Sequence, residues 1–239
     1  MSADELEALL GVQEHDTARD RLRHRRAALP ERAELERQGA DLRQRQAEAD
    51  EVRARRDKVL ADERRLDDET RALGTKADEA NAKLYSGSTN SPKELQAMQA
   101  DIDMLLRQRS DLEDTELEVM EAREVLDAEL ASLEGDSAKL VAEIDRLRGI
   151  ISAAEIEIDA ELAAEDAEWT KLAESLPATL LADYQGRRAQ NKGAGAARLV
   201  GTSCGACHLS IPSTEAEQIR RAAGASVAYC DNCGAILVP

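Results

Sequence analysis

Phenylalanine is absent from this chain, and aromatic residues make up only 2% of it: Trp169, Tyr85, Tyr184 and Tyr229. Aromatic rings supply much of the buried area of a wide core. A chain of 239 residues with so few of them does not build one large compact core. No apolar run approaches the ~20 residues of a membrane span, so no membrane partner is expected. The opening residues, Met1 to Glu5, lack the basic and apolar regions of a signal peptide. The expected setting is therefore cytoplasmic and reducing, where four Cys point to a metal before disulfides. There is also no Gly-rich phosphate loop, no Gly-x-Ser-x-Gly and no His–carboxylate cluster. The expectation is a non-enzyme, with no catalytic residues and no small-molecule substrate.

What is present is charge at 34% and a long heptad pattern. Met98, Leu105, Leu112, Val119, Leu126, Leu133, Leu140, Leu147 and Ala154 fall seven apart. A second seam, offset by four, holds Ile102, Leu130, Ile144, Ile151 and Ile158, with Arg109, Glu116, Arg123 and Ser137 at its remaining positions. Apolar spacing of three and four in alternation is the signature of a left-handed coiled coil. The polar positions predict a looser stretch over 109–123. Residues 3–84 repeat the pattern less regularly, through Leu35, Leu42 and Ala49 and through Val52, Val59, Leu66 and Leu73. Pro30 lacks an amide donor and predicts a kink there. Gly39, Gly74, Gly135 and Gly149 predict soft points.

Between the two helices, Gly87 suits a helix end, and Ser91-Pro92-Lys93-Glu94 suits a capped helix start. A turn spanning 85–91 makes the helices antiparallel neighbours. The simplest register sets Arg55 near Glu121, Arg21 near Glu155 and Arg19 near Glu157. The net charge of −17 lies almost wholly in residues 92–176, at −16, whereas 1–84 carry −3 and 177–239 carry +2. Three segments follow: a hairpin over 1–176, a short helix and flexible joint over 177–195, and a small module over 196–239.

That module carries the strongest chemical signal. Cys204-Gly205-Ala206-Cys207 and Cys230-Asp231-Asn232-Cys233 are two Cys-x-x-Cys turns that aim four thiolates at one point. Four sulfurs close a tetrahedral shell and leave no place for water, so one structural Zn2+ is expected. About 40 residues bury too little to fold unaided, and the metal supplies the difference. Two disulfides, an iron–sulfur or redox dithiol site, and His208 in place of one Cys are the alternatives. Ser213 or Thr214 would cap a helix over 215–223 that Gly224 ends. Residues 227–229 and 235–238 read as strands. The fold class is mainly α: a long antiparallel coiled-coil helical hairpin followed by a C4 zinc ribbon.

These residues carry a resemblance. The tip from Tyr85-Ser86-Gly87 to Pro92-Lys93-Glu94-Leu95-Gln96-Ala97-Met98-Gln99 is similar to that of the bacterial coiled-coil plus C4-type zinc-ribbon family. So is the run Cys204-Gly205-Ala206-Cys207-His208, Ile211-Pro212, Cys230-Asp231-Asn232-Cys233-Gly234-Ala235-Ile236-Leu237. The family resemblance implies a non-enzymatic adaptor or regulator, some members acting in flagellar or secretion systems on transcripts or transcription factors. The chain departs from the family at Asp231, where Pro is common, and at Leu237-Val238-Pro239, where an aromatic is common.

Two kinds of partner follow. Nucleic acid, RNA or DNA, would meet a basic end built from Arg187, Arg188, Lys192, Arg198, Arg220 and Arg221, beside Arg19, Arg21, Arg23, Arg25 and Arg26. The bland counterpart is that these guanidinia pair with the acids opposite. With few aromatics for stacking, contacts would be to phosphate more than to bases. The expected function is an adaptor or regulator that binds nucleic acid through this basic end; the alternative is a scaffold for a protein partner of transcription or secretion, which would use the hairpin and ribbon, with Tyr85 at the tip as a contact or simply packed over its turn.

Overall fold

The computed structural model describes residues 2–87, 91–221 and 226–239. Helix α1 spans Ala3–Ala27 and opens on a reciprocal cap: Ser2 Oγ accepts from Glu5 N–H at 3.2 Å while the Glu5 carboxylate takes the Ser2 amide at 2.7 Å. It stops where expected. Pro30 has no N–H to give and becomes the first residue of α2, Pro30–Tyr85. Arg32 spans the break, donating to the Arg26 carbonyl at 3.2 Å and pairing with Glu155.

Gly87, at φ +72°, follows the end of α2, and α3 runs over Pro92–Glu174 with Leu95 N–H bonded to the Ser91 carbonyl at 3.0 Å. Residues 88–90 of the expected tip lie outside those described. Tyr85 is 79% exposed. Gly39, Gly74, Gly135 and Gly149 do not interrupt the helices, because each sits inside a long run of good helix formers.

The heptad seam is real. Ile102, Leu130, Ile144, Leu147, Ile151 and Ile158 are buried on α3, and Ala49, Val52, Leu66 and Ala77 on α2. Among the described residues, no α3 side chain between Ile102 and Leu130 is fully buried, which matches the polar seam there. Arg123 instead points one nitrogen at both Glu63 oxygens, 2.7 Å from each, so an ion pair fills a place the heptad reserves for an aliphatic group.

The register differs from the expectation. Arg55 meets Glu129 at 3.2 Å rather than Glu121, Arg19 meets Asp166 at 2.6 Å rather than Glu157, and Glu155 takes Arg26 and Arg32 rather than Arg21. Side chains lean towards the N-terminus of their own helix. In an antiparallel pair those leans oppose each other, so two long side chains meet only when the acid lies further along α3 than a flat alignment allows.

The chain divides into two compact units, residues 1–33 with 147–239, and residues 34–146. The first holds the ribbon. Helix α4, Ala178–Gln190, is followed by β1 (Ala196–Val200), β2 (Ser203–Cys204), α5 (Ser213–Arg221), β3 (Ala228–Tyr229) and β4 (Ile236–Val238). The expected end of α5 at Gly224 lies outside the described residues. The sheet order is β2-β1-β4-β3, with β1 and β4 parallel and the outer pairs antiparallel. One face of the sheet joins the sulfurs in a small core with Ile211, Ala216 and Ile219. Ala196, Ile236 and Val238 join Leu6, Leu9, Leu10 and Val12 of α1 and Leu180 and Tyr184 of α4 in another.

The joint over 191–195 is clamped, against the expectation of flexibility. The Gln13 amide donates to the Gly193 carbonyl at 2.9 Å and accepts from the amides of Gly195 and Ala196 at 2.7 and 3.2 Å. Three otherwise loose backbone groups are thereby fixed to α1.

Candidate metal centre

The two Cys-x-x-Cys turns fold alike. In the first, His208 N–H donates to the Cys204 carbonyl at 2.8 Å, and Cys204 N–H to the Leu209 carbonyl at 3.1 Å. In the second, Gly234 N–H donates to the Cys230 carbonyl at 2.7 Å, and Cys230 N–H to the Ala235 carbonyl at 2.9 Å. The residue after each second Cys enters the left-handed region, Gly234 at φ +73° and His208 at φ +59°. Gly adopts that conformation without strain, whereas His has a Cβ to accommodate. Gly205 N–H also donates to the Arg198 carbonyl at 2.9 Å, tying the first knuckle to β1.

All four sulfurs lie within 4.8 Å of one another. Cys204 and Cys233 Sγ are 3.8 Å apart, as are Cys207 and Cys230. A regular tetrahedron with Zn–S bonds of ~2.3 Å has edges of about 3.8 Å, so the cage fits zinc. A disulfide needs ~2.05 Å, and the four are free thiols here. Burial pushes the Cys233 thiol up to about 12 and raises Cys204, whereas the Leu209 amide holds Cys207 below its ordinary value. His208 is exposed and plays no part in the cluster.

The profile of the CT398-like coiled coil hairpin domain matches residues 12–192. The chain belongs to the CT398-like coiled coil hairpin family. A C4-type zinc ribbon domain profile matches residues 203–237, and the site holds one structural Zn2+ on Cys204, Cys207, Cys230 and Cys233. Two Mycobacterium tuberculosis proteins, MT2288 and Rv2229c, are each 31% identical over 231 residues, covering 97% of this chain and 94% of theirs. A solved structure from Mycobacterium smegmatis superposes with a TM-score of 0.86 at 26% identity, covering 100% of this chain and 98% of that one. The HP0958 protein of Helicobacter pylori shares the fold at a TM-score of 0.51 and 13% identity, with coverages of 98% and 96%. No helix among the described residues is long and apolar enough to cross a membrane.

The basic residues singled out from the sequence are mostly engaged within the chain. Arg187 stacks on Tyr229 at 3.7 Å, pairs with Asp183 at 3.0 Å and donates to the Gly234 carbonyl at 2.7 Å. Arg188 reaches Asp16 and Asp20, and Arg198 reaches Glu7 at 2.6 Å. Arg220 donates to the Gly201 carbonyl, and Arg221 pairs with Glu217 at 3.0 Å. Lys192 alone of the six has no partner among the described residues. On α1, Arg19, Arg23, Arg25 and Arg26 are paired with acids, and Arg21 has no such partner among the described residues.

Gln13 and Asp16 are the residues that reading the sequence passed over. Asp16 is 6% exposed and accepts from the fully buried Tyr184 hydroxyl at 2.7 Å. Burial and the Asp16 carboxylate together hold that hydroxyl above its ordinary value. The signal was present: Gln13 and Asp16 stand one heptad after Leu6 and Leu9, polar residues at seam positions.

Proposed function

We propose that the chain is a non-catalytic, zinc-stabilised adaptor whose ribbon-bearing unit engages a partner protein in the cytoplasm. Five of the six cations that would grip phosphates are occupied inside the chain, and this observation carries the reading. Freeing these guanidinia to neutralise a nucleic acid would forfeit the contacts from α4 to Gly234 and α1, from β1 to α1 and from α5 to Gly201. Surface ion pairs are individually weak, at about 0–1 kcal/mol, yet here several act on one small module. Partners from transcription or secretion are the class that the family resemblance implies.

Nucleic-acid binding is the second reading, favoured by the unpaired Lys192 and Arg21. A salt titration separates the two. Phosphate contacts make log K fall linearly with log[salt], and removing them flattens the slope. The adaptor reading expects no retardation of mixed RNA or DNA at ~0.15 M salt and co-purification of one protein in fixed ratio. Tight oligonucleotide binding whose salt slope flattens in the Arg187→Ala/Arg188→Ala/Lys192→Ala variant would overturn it.

A further inference from the structure

Beside the ribbon, α1 and β1 enclose an open groove of about 1190 Å³. Its volume slightly exceeds that of the usual small-molecule site, ~300–1,000 Å³, and its shape is a trough rather than a closed cavity. Two kinds of surface meet in it. Leu29, Pro30, Ala206 and Val200 provide an aliphatic lining, with Val200 62% exposed. Arg21, Arg25, Lys192 and Arg198 line the same trough, against the carboxylates Glu14 and Asp20. Arg25 and Arg198 are already paired with Glu161 and Glu7, and Asp20 with Arg23 and Arg188. Arg21 and Lys192 have no partner among the described residues.

An unpaired cation pair beside exposed aliphatic surface is unusual on a chain of net charge −17. Against a chain that is acidic as a whole, the trough lining carries four Lys/Arg and two carboxylates, a local excess of positive charge that favours an anionic segment. No Tyr or Trp lines it, which leaves His24 as the one ring on the lining for a base to stack on, and the Glu14 and Asp20 carboxylates on the same lining disfavour a run of phosphates. The lining suits aliphatic side chains instead.

We infer that this groove docks a short acidic peptide segment of a partner protein, its aliphatic side chains against Leu29 and Val200 and its carboxylates on Arg21 and Lys192. The inference rests on the adaptor reading and names the surface that reading uses. Peptide recognition of this kind takes position from charge and affinity from apolar contact. The trough is also built on fixed walls, since Gln13 clamps the 193–196 backbone that forms one side.

The test uses the full zinc-loaded chain and a fluorescently labelled peptide of alternating Leu and Glu. Anisotropy should show saturable binding that weakens about tenfold or more in the Arg21→Glu/Lys192→Glu variant. Both residues are exposed, so the variant should keep its zinc content and helical circular dichroism. The same peptide with Ser for Leu, or with Lys for Glu, should bind at least about tenfold more weakly. Equal binding by all three peptides, or by both proteins, overturns the proposal. So does a single-stranded oligonucleotide that binds more tightly than the peptide and is released by the same variant. Self-association of the unlabelled chain that Arg21→Glu/Lys192→Glu abolishes would assign the groove to a second copy and overturn it as well. If the peptide fails while a protein still co-purifies in fixed ratio, the adaptor reading stands and only the groove assignment falls.

Discussion

His208 and Gly234 occupy equivalent places after their Cys pairs, yet only one of them is glycine. A non-glycine residue in the left-handed region is strained by about 1–2 kcal/mol, and glycine loses about 0.5–1 kcal/mol of that advantage in chain entropy. His208→Gly should therefore leave the zinc-loaded ribbon unchanged or more stable by up to about 1 kcal/mol, and Gly234→Ala should weaken it. Denaturant titrations followed by zinc release read both. Tyr184→Phe should destabilise the ribbon-bearing unit by about 1–3 kcal/mol, because the nearly inaccessible Asp16 carboxylate loses its phenolic donor. A cost under ~0.5 kcal/mol in chemical denaturation would mean that Arg19 and Arg188 satisfy Asp16 by themselves. The four sulfurs were legible from spacing because the geometry of a metal admits few patterns. Gln13 and Asp16 were not, since a polar residue in a weak heptad reads equally well as a surface position.

Among elements, the α2–α3 pair shows what periodicity does and does not specify. The seam positions follow directly from the spacing, because burial selects the same face at every turn. Register does not follow, since it depends on the opposed lean of side chains and on the tip, neither of which a heptad records. Arg123 and Glu63 illustrate the resulting compromise. Arg123→Ala should cost about 1–2 kcal/mol by leaving a half-buried carboxylate without its donor. The double change Arg123→Leu/Glu63→Leu should be neutral or stabilising, because a seam aliphatic pair avoids desolvating two charges. Thermal denaturation of the three proteins decides it, and a double variant weaker than Arg123→Ala would show that the pair contributes beyond burial.

The link between β1 and α1 carries its own pH signature. Arg198 holds the Glu7 carboxyl below its ordinary value. A carboxylate lowered on folding stabilises the fold above its unfolded value, near ~4.3, and loses that contribution as pH falls through the folded value. Glu7→Gln should therefore reduce the stability of the β1–α1 contact at neutral pH, and the gap from the natural chain should close below about pH 4. Amide exchange on β1 across that range reads it.

At the scale of the molecule, zinc and helix stability are separable only in part. Chelation, or Cys204→Ser, should unfold residues from about 196 onward and leave most helical circular dichroism intact, since α2 and α3 draw their burial from each other. The structure adds that α1 will not be indifferent. Its apolar face is shared with Ala196, Ile236 and Val238, so its amides should exchange faster once the metal is gone. Loss of most helical signal on chelation would refute this division.

The same shared face bears on synthesis. Leu6, Leu9, Leu10 and Val12 leave the ribosome well before their buried cluster partners outside α1, all of which lie at Ala173 or beyond. Until α3 is nearly complete, the greasy stripe of α1 has none of these side chains to lie against. A nascent chain halted before β4 should be recognised by chaperones that bind exposed aliphatic segments, and released only when the last strand emerges to close over it.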